Sequence, residues 1–331
     1  MTLIAPTVQA FFTQRLLQQR HASAETVAAY RDAIRLLLAF SCRQTGKQPS
    51  RLDIDDLDAP HIAAFLDDLQ HGRENIVSTR NARLAAIRSL FRFAALRHPE
   101  HAATIQRVLA IPMKKTDRPV VTHLDQEEID ALLAAPDLST WAGRRDHALL
   151  LTAIQTGLRV SELVGLVRED VHLGHGAHVS CTGKGRKQRC TPLTPATVKV
   201  LRAWLGELAR NRRPTTRVFP NRTGGRLSRD AVERRLAKHI ALAVQKCPSI
   251  GAKRVTPHVL RHTAAMQLLQ AGVDTSVIAL WLGHEKVETT QVYLHADLKL
   301  KEQALARTTP PTAAPGRYRP PEPLLAFLTD L

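Results

Sequence analysis

Residues 256–295 read TPHVLRHTAAMQLLQAGVDTSVIALWLGHEKVETTQVYLH and place two histidines, an arginine and a tyrosine at separations that indicate one site. His258 and Arg261 are three residues apart, which puts both side chains on one face of a helix. His284 and Tyr293 follow further along the chain. Because a tyrosine hydroxyl is a capable nucleophile only when its surroundings activate it, the stretch predicts half of a phosphoryl-transfer site. The other half must lie upstream.

Fixed positive charge around the phosphate is the main requirement of phosphoryl transfer. Arginine suits this task because its planar fork donates two parallel hydrogen bonds to phosphate oxygens and stays charged. Besides Arg261, the candidate is Arg159, which follows a helix that begins near Trp141 and ends at Gly157. Taken singly, an arginine is more often structural or on the surface, so these two residues do not by themselves define a site.

The N-terminal part of the chain, residues 8–97, has a helical pattern throughout and predicts a four-helix domain. Asp58 with Pro60 begins one helix, and Ser78 caps the last, which runs to Leu96. On the last helix three arginines fall within about 120° of arc at ~100° per residue: Arg80, Arg88 and Arg92. A solvated basic face and a DNA-facing surface explain this arc equally well.

A basic stretch without helical period, IPMKKTDRPVVTH at residues 111–123, predicts an extended interdomain linker. Its basic residues are candidates for contact with a DNA backbone, although any solvated tether could look similar: Lys114, Lys115 and Arg118. We therefore divide the chain into a helical domain (1–110), this linker (111–123), a second domain (124–308) and a Pro-rich tail (309–331).

The second domain is predicted to combine helices with one β-hairpin. Asp125 and Glu128 form a capping box ahead of an apolar helical pattern. In HVSCTGKGRKQRCTPLT, residues 178–194, two short β-prone runs flank a Gly-Lys-Gly-Arg turn with Lys184 at its tip. A further helix is expected over about residues 297–306. The fold class is mainly α with a small β-sheet or hairpin.

Composition narrows the class of partner. The 331 residues are enough for two domains, and 47 Lys+Arg against 30 Asp+Glu give a net charge of +17, which favours nucleic acid as a partner. The four cysteines have no CxxC spacing, which argues for reduced thiols in the cytoplasm and against a zinc ribbon. We expect neither a secretion signal nor a membrane span, because no apolar run approaches ~18 residues.

Three competing motifs fail on individual residues. His178 and Gly185 stand where a Walker A motif needs Gly and Ser or Thr, so no nucleotide is implied. His258 and His262 have the spacing of a zinc protease, but Val259 replaces the required glutamate. We therefore expect no metal and interpret His262 as a structural neighbour of His258. No Gly-x-Ser-x-Gly elbow or carboxylate pair indicates hydrolysis of esters or sugars.

Four motifs in one order give the chain a resemblance to the tyrosine recombinase (phage integrase) family. They are TGLRVSEL at 156–163, GKGRKQR at 183–189, HVLRH at 258–262 and LGHEKVETTQVYLH at 282–295. The resemblance covers essentially the whole chain. It implies a helical SAM-like core-binding domain over residues 1–110 and a mixed α/β catalytic domain over residues 124–308. The implied activity is site-specific DNA recombination through a 3′-phosphotyrosine intermediate, without cofactor or metal.

The resemblance also implies a role for each matching residue. Tyr293 attacks the scissile phosphate, becomes joined to the 3′ phosphate and leaves a free 5′ hydroxyl. Arg159 and Arg261 clamp the non-bridging oxygens. Lys184 acts as the general acid that protonates the departing 5′ oxygen.

Three further residues complete the implied site. His258 assists proton transfer at the nucleophile, His284 hydrogen-bonds the phosphate, and Glu162 orients Arg159 or His258 from behind. DNA-binding residues are expected on the helical domain, the linker and the hairpin: Arg80, Arg88, Arg92, Lys114, Lys115, Arg118, Arg186 and Lys187.

The expected partner is double-stranded DNA with inverted half-sites, bound in the cytoplasm at the nucleoid. A tetramer of this chain, or of related recombinase protomers, would assemble on two DNA sites. The biological role is then integration or excision of a mobile element, or Xer-like resolution. Two alternatives stay open: a topoisomerase resembling type IB, and a catalytically silent DNA-binding partner. The apolar run at residues 324–328, or the segment after Tyr293, could dock on a neighbouring protomer.

Overall fold

The computed structural model describes residues 2–116, 121–183, 188–210, 215–283, 289–290 and 293. The chain divides into two compact units, Met1–Arg118 and Pro119–Leu331. No helix of the described ranges is long and apolar enough to cross a membrane. The finer division into residues 1–110, 111–123, 124–308 and 309–331 stays a prediction. The helix expected over residues 297–306 and the tail lie outside the described residues.

The first unit is a helical domain whose described part has five α-helices, one more than expected. They are α1 Ile4–Ala10 with a π-helical continuation Phe11–Gln19, α2 Ala24–Thr45, α3 Ala59–Asp67 with a π-helical continuation Asp68–Gly72, α4 Val77–Ala95 and α5 Ala102–Ala110. The unexpected α5 buries Ile105 and Val108, which are three residues apart and so lie on one helix face.

The two helix starts expected in this unit have different outcomes. The Asp58 cap is confirmed, because its side chain accepts a hydrogen bond from the backbone N–H of His61 at 2.9 Å. The Ser78 cap is wrong. Helix α4 begins at Val77 after Ile76, which is in extended conformation and cannot cap with its side chain. Ser78 is therefore already inside the first turn.

The second unit is mainly helical and has a small three-stranded antiparallel sheet, which confirms the predicted fold class. Its helices are α6 Gln126–Ala134, α7 Trp141–Thr156, α8 Val160–Leu163, α9 Pro195–Arg210, α10 Arg229–Ala243, α11 Pro257–Gln270 and α12 Thr275–Leu282. The strands are β1 Val171–His172, β2 His178–Thr182 and β3 Gln188–Pro192, in the order β1-β2-β3. The capping box at Asp125 and Glu128 is confirmed.

The β2–β3 hairpin is also confirmed, although its tip lies outside the described residues. Its register pairs Ser180 with Cys190 and Cys181 with Arg189. The two cysteines therefore do not oppose each other, and both are free thiols. Cys181 is buried and Cys190 is exposed, as the alternation of side chains along strands requires.

Candidate active site

Two helices of the second unit end at the same place, and their last carbonyls hold Arg261. Helix α7 ends at Gly157 and α12 ends at Gly283, each glycine with a left-handed φ, +63° and +65°. Arg261, on α11, donates from Nη1 to the Gly157 carbonyl and from Nη2 to the Leu282 carbonyl, both at 2.7 Å. Because helix C-termini carry partial negative charge, they suit a buried guanidinium. Arg261 is 2% exposed.

The glycines also allow a close approach at these helix ends, of the two ends to each other at Gly157 and of Arg189 to the end of α12 at Gly283. A Cβ at Gly157 would lie 2.6 Å from Cδ2 of Leu282, and a Cβ at Gly283 would lie 2.8 Å from Nη1 of Arg189. Both positions also need a backbone conformation that L-residues rarely adopt. Gly157 in TGLRVSEL thus allows the ends of α7 and α12 to meet, and Gly283 in LGHEK leaves room for Arg189.

Arg159 is positioned by a carboxylate and by the same helix end. It donates from Nη1 to Oε1 of Glu162 at 2.9 Å and from Nη2 to the Gly283 carbonyl at 3.1 Å. Oε2 of Glu162 accepts from the Arg159 backbone N–H at 2.7 Å. Glu162 therefore fixes both the main chain and the side chain of Arg159. No hydrogen bond joins Glu162 to His258 in the described part of the chain.

Arg189, on β3, is a member of this group that the sequence analysis did not single out. It donates to both carboxylate oxygens of Glu162, at 3.1 and 2.8 Å. Arg189 and the buried Thr191 lie two apart on one face of β3. The sequence carried no signal for this, because Cys190, the apolar residue between them, lies on the opposite, exposed face. Burial works to raise the pKa of Glu162, but hydrogen bonds from Arg189 and Arg159 hold that pKa below its ordinary value. Glu162 is therefore ionised and bridges two arginines.

Three aromatic side chains lie side by side at the N-terminal end of α11. The rings of His258 and His262 meet edge to face with centroids 4.3 Å apart, and the His262 and Tyr293 rings are 5.5 Å apart. Nδ1 of His262 lies 3.0 Å from Oη of Tyr293. His262, which the sequence analysis interprets as a structural neighbour of His258, thus also contacts Tyr293. The i, i+4 spacing of the two histidines could not show that contact.

Burial and positive charge act on the ionisable groups of this site. Burial lowers the pKa of Arg261 to about 10, with Arg159 adding to the effect, so Arg261 stays charged at neutral pH. Burial also lowers the pKa of His258, helped by Arg261 and Arg159, which favours the neutral imidazole. Burial raises the pKa of Tyr293, and the charge of Arg261 opposes that rise.

Five predicted site residues lie outside the described residues: Lys184, His284, Arg118, Arg186 and Lys187. Their roles stay predictions.

The predicted basic face of α4 does not exist as one exposed surface. Arg80 is 5% exposed, and its Nη1 donates to Asn81 at 3.4 Å. Arg88 is half-buried and donates to the Leu109 carbonyl at 2.7 Å. The three arginines therefore do not share one exposed face, because an arc on a helical wheel does not tell which neighbours cover it. Contact of Arg80, Arg88 or Arg92 with DNA stays a prediction. Arg92 is exposed and lines a hollow of about 630 Å³ with three other arginines: Arg15, Arg20 and Arg97.

The two described lysines of the predicted linker are exposed. Lys114 donates from Nζ to Gln70 at 2.8 Å and lies 3.7 Å from Asp67. Lys115 is exposed beside it. A contact of either lysine with DNA stays a prediction.

Comparison with known proteins assigns both units. Residues 122–299 match the phage integrase family, and residues 10–98 match the phage integrase N-terminal SAM-like domain. The chain belongs to the phage integrase family. It is a DNA strand-exchange enzyme of the tyrosine recombinase type, as predicted.

The relatives support this assignment along the whole chain. The chain is 56% identical to the putative integrase/recombinase y4rC of Sinorhizobium fredii, covering 99% of this chain and 98% of that protein. It is 32% identical to tyrosine recombinase XerC of Pelobacter propionicus, covering 94% and 96%.

Solved structures share the fold. The XerH recombinase in a post-cleavage complex with a palindromic difH substrate has a TM-score of 0.68 at 22% identity, over 87% of this chain and 81% of that one. The Tn1549 transposon integrase with circular intermediate DNA has a TM-score of 0.68 at 14% identity, over 93% and 100%.

Proposed function

We propose that this chain is a site-specific recombinase that cleaves and rejoins DNA through a 3′-phosphotyrosine at Tyr293. One observation carries the proposal: Arg261 and Arg159 donate to consecutive carbonyls, those of Leu282 and Gly283. Their guanidinium groups therefore converge at the end of α12. A guanidinium has five N–H donors, and these hydrogen bonds leave several on each arginine for a phosphate.

The proposed reaction exchanges one ester for another. The Tyr293 oxygen forms a bond to phosphorus, the bond from phosphorus to the 5′ oxygen breaks, and Lys184 gives a proton to that oxygen. Arg159 and Arg261 stabilise the charge that develops on the non-bridging oxygens, where one donor is typically worth ~10²–10³ in rate. Rejoining is the reverse, so no external energy source is required.

The substrate we propose is duplex DNA with inverted half-sites, bound by a tetramer across two sites. The net charge of +17 supports a polyanionic partner. The structures similar to this chain include XerH with a palindromic DNA and the Tn1549 integrase with a circular intermediate DNA. The 56% identity to a putative integrase/recombinase supports integration or excision of a mobile element over Xer-like resolution.

The first test identifies the DNA site. Full-chain Tyr293→Phe protein is used to select binding sequences from fragmented host DNA, since it is expected to bind without cleaving. Sequences at the ends of a mobile element support the proposed role. A single chromosomal site shared with a resolution system would assign Xer-like resolution instead.

The second test is covalent trapping on a nicked duplex of the selected sequence, in EDTA and without ATP. Wild-type protein is expected to form a DNA adduct on Tyr293, and Arg159→Ala and Arg261→Ala are expected to form it far more slowly. An adduct that persists in Tyr293→Phe, or a strict need for a divalent metal, would overturn the mechanism. Relaxation of plasmids without the site would favour a topoisomerase, and failure to trap any adduct would favour a silent DNA-binding protein.

A further inference from the structure

The proposed cleavage step releases a proton from Tyr293, and the structure offers an acceptor for it. Nδ1 of His262 is 3.0 Å from Oη of Tyr293, a normal hydrogen-bond distance. His258, which the family resemblance assigns to this proton transfer, makes no hydrogen bond to Tyr293 in the described part of the chain. Its ring instead meets that of His262 edge to face.

The position of His262 follows from the geometry of α11. Residues 258, 261 and 262 are spaced i, i+3 and i+4, so all three side chains project from neighbouring positions on the helix surface. Arg261 reaches the two helix ends where a phosphate would be held, and His262 reaches the nucleophile. Side chains from one turn of α11 thus lie at both the expected phosphate position and the attacking oxygen.

We propose that His262 accepts the phenolic proton of Tyr293 during cleavage and returns it during rejoining. This inference rests on the proposed function. In the tautomer with hydrogen on Nε2, Nδ1 of His262 accepts from the phenol. As the oxygen–phosphorus bond forms, the O–H bond breaks and its proton moves to Nδ1, giving an imidazolium. The electron pair of the O–H bond stays on the Tyr293 oxygen, which forms the bond to phosphorus. The bond from phosphorus to the 5′ oxygen breaks, and its electron pair leaves with the 5′ oxygen, which Lys184 protonates.

The charges around His262 are compatible with this role. The charge of Arg261 favours the phenolate, because it acts to lower the pKa of Tyr293. The pKa of His258 is lowered by burial, Arg261 and Arg159, so this nearest ring stays neutral beside His262.

The test separates proton acceptance from simple positioning. In His262→Asn, the amide oxygen can take the place of Nδ1 and accept the hydrogen bond, but it cannot take up the proton. We expect this variant to form the adduct about 10²–10⁴-fold more slowly than wild type on the selected nicked duplex. Its rate should rise with pH as hydroxide replaces the missing base. His147→Asn is the matched control, because His147 is also half-buried and bonds the Leu133 carbonyl at 2.9 Å.

A second substrate distinguishes the two proton transfers. In a duplex with sulfur in place of the 5′ bridging oxygen, the leaving group needs no proton. We expect this substrate to rescue Lys184→Ala and to leave His262→Asn slow. Rates for His262→Asn within threefold of wild type, or rescue of that variant by sulfur, would overturn the inference.

The controls keep the inference separate from the proposed function. If Tyr293→Phe still forms the adduct, the proposed function itself fails. If Tyr293→Phe forms none while His262→Asn equals wild type, only the role of His262 fails. Each variant is first checked for binding to the duplex, and His262→Gln replaces His262→Asn if the latter does not bind.

Discussion

Replacing Glu162 by glutamine should destabilise the second unit and also weaken the hydrogen bonds that position Arg159. The carboxylate of Glu162 is 5% exposed and accepts hydrogen bonds from Arg159 and Arg189. Removing one partner of a buried ion pair typically costs about 3–5 kcal/mol. Because glutamine keeps one acceptor oxygen and the size of the side chain, we expect the lower end, a loss of about 3 kcal/mol in the free energy of unfolding.

The assay is urea unfolding of the full chain followed by tryptophan fluorescence. All three tryptophans, Trp141, Trp204 and Trp281, lie in the second unit, so the signal reports that unit alone. Glu207→Gln is the matched control. Glu207 also pairs with an arginine, Arg144, through two hydrogen bonds of 2.8 Å, but the pair is about one-third exposed. We expect Glu207→Gln to cost at most about 1 kcal/mol.

The stability lost in Glu162→Gln should depend on pH in a direction that follows from the pKa of Glu162. The pKa of Glu162 is lower in the folded chain than its ordinary value, so its contribution is fully present above the unfolded pKa of about 4.3. The contribution is lost as pH falls through the folded pKa. The difference between wild type and Glu162→Gln should therefore be largest above about pH 5 and shrink under acid conditions. A loss no larger than that of Glu207→Gln, or a difference unchanged at pH 3, would refute the reasoning.

Three further predictions concern single residues of the same unit. Gly283→Ala should lower the free energy of unfolding by more than the ~1–2 kcal/mol that a left-handed alanine costs, because its Cβ also crowds Arg189. The control is Gly272→Ala, which has a φ of +80° but open space and should lose only the backbone part. Equal losses of the two variants in urea unfolding would contradict this. Burial raises the pKa of Cys181 to about 11, so iodoacetamide at pH 8 should label exposed Cys190 at least about tenfold faster, as read by peptide mass spectrometry; comparable labelling would show that Cys181 is accessible. Tyr293 should titrate above the ordinary phenol pKa of about 10 in carbon NMR of Cζ-labelled tyrosine, with Tyr293→Phe assigning its signal among the three tyrosines; a midpoint at or below 10 would be inconsistent with its burial.

The sequence predicts well those contacts whose two partners lie only a few residues apart. The caps at Asp58 and Asp125 bond a backbone N–H three residues on, and the Arg159–Glu162 pair is likewise i, i+3. Such contacts depend only on local geometry, so spacing reveals them. Ser78 shows the limit even at short range, because α4 begins one residue earlier, at Val77, without any side-chain cap.

The contacts that assemble the site depend on the fold. Arg261 bonds a carbonyl 104 residues away, Arg189 reaches Glu162 across 27 residues, and His262 meets Tyr293 across 31. Motif order indicated that Arg159, Arg261 and Tyr293 belong together, but not which atoms hold them. For the same reason the arc of Arg80, Arg88 and Arg92 did not reveal that Arg80 is buried, since covering neighbours cannot be inferred from a single helix.

The hydrogen bonds that hold Arg261 bear on which substitutions this enzyme tolerates nearby. Both of its partners are main-chain carbonyls, at Gly157 and Leu282, which every amino acid supplies. Side chains on the outer faces of α7 and α12 can therefore be randomised without removing a ligand of the arginine. Gly157 and Gly283 are different, because a side chain at either position would meet a left-handed backbone and a crowded Cβ position. The arginine is thus held by main chain whose own shape depends on these two glycines.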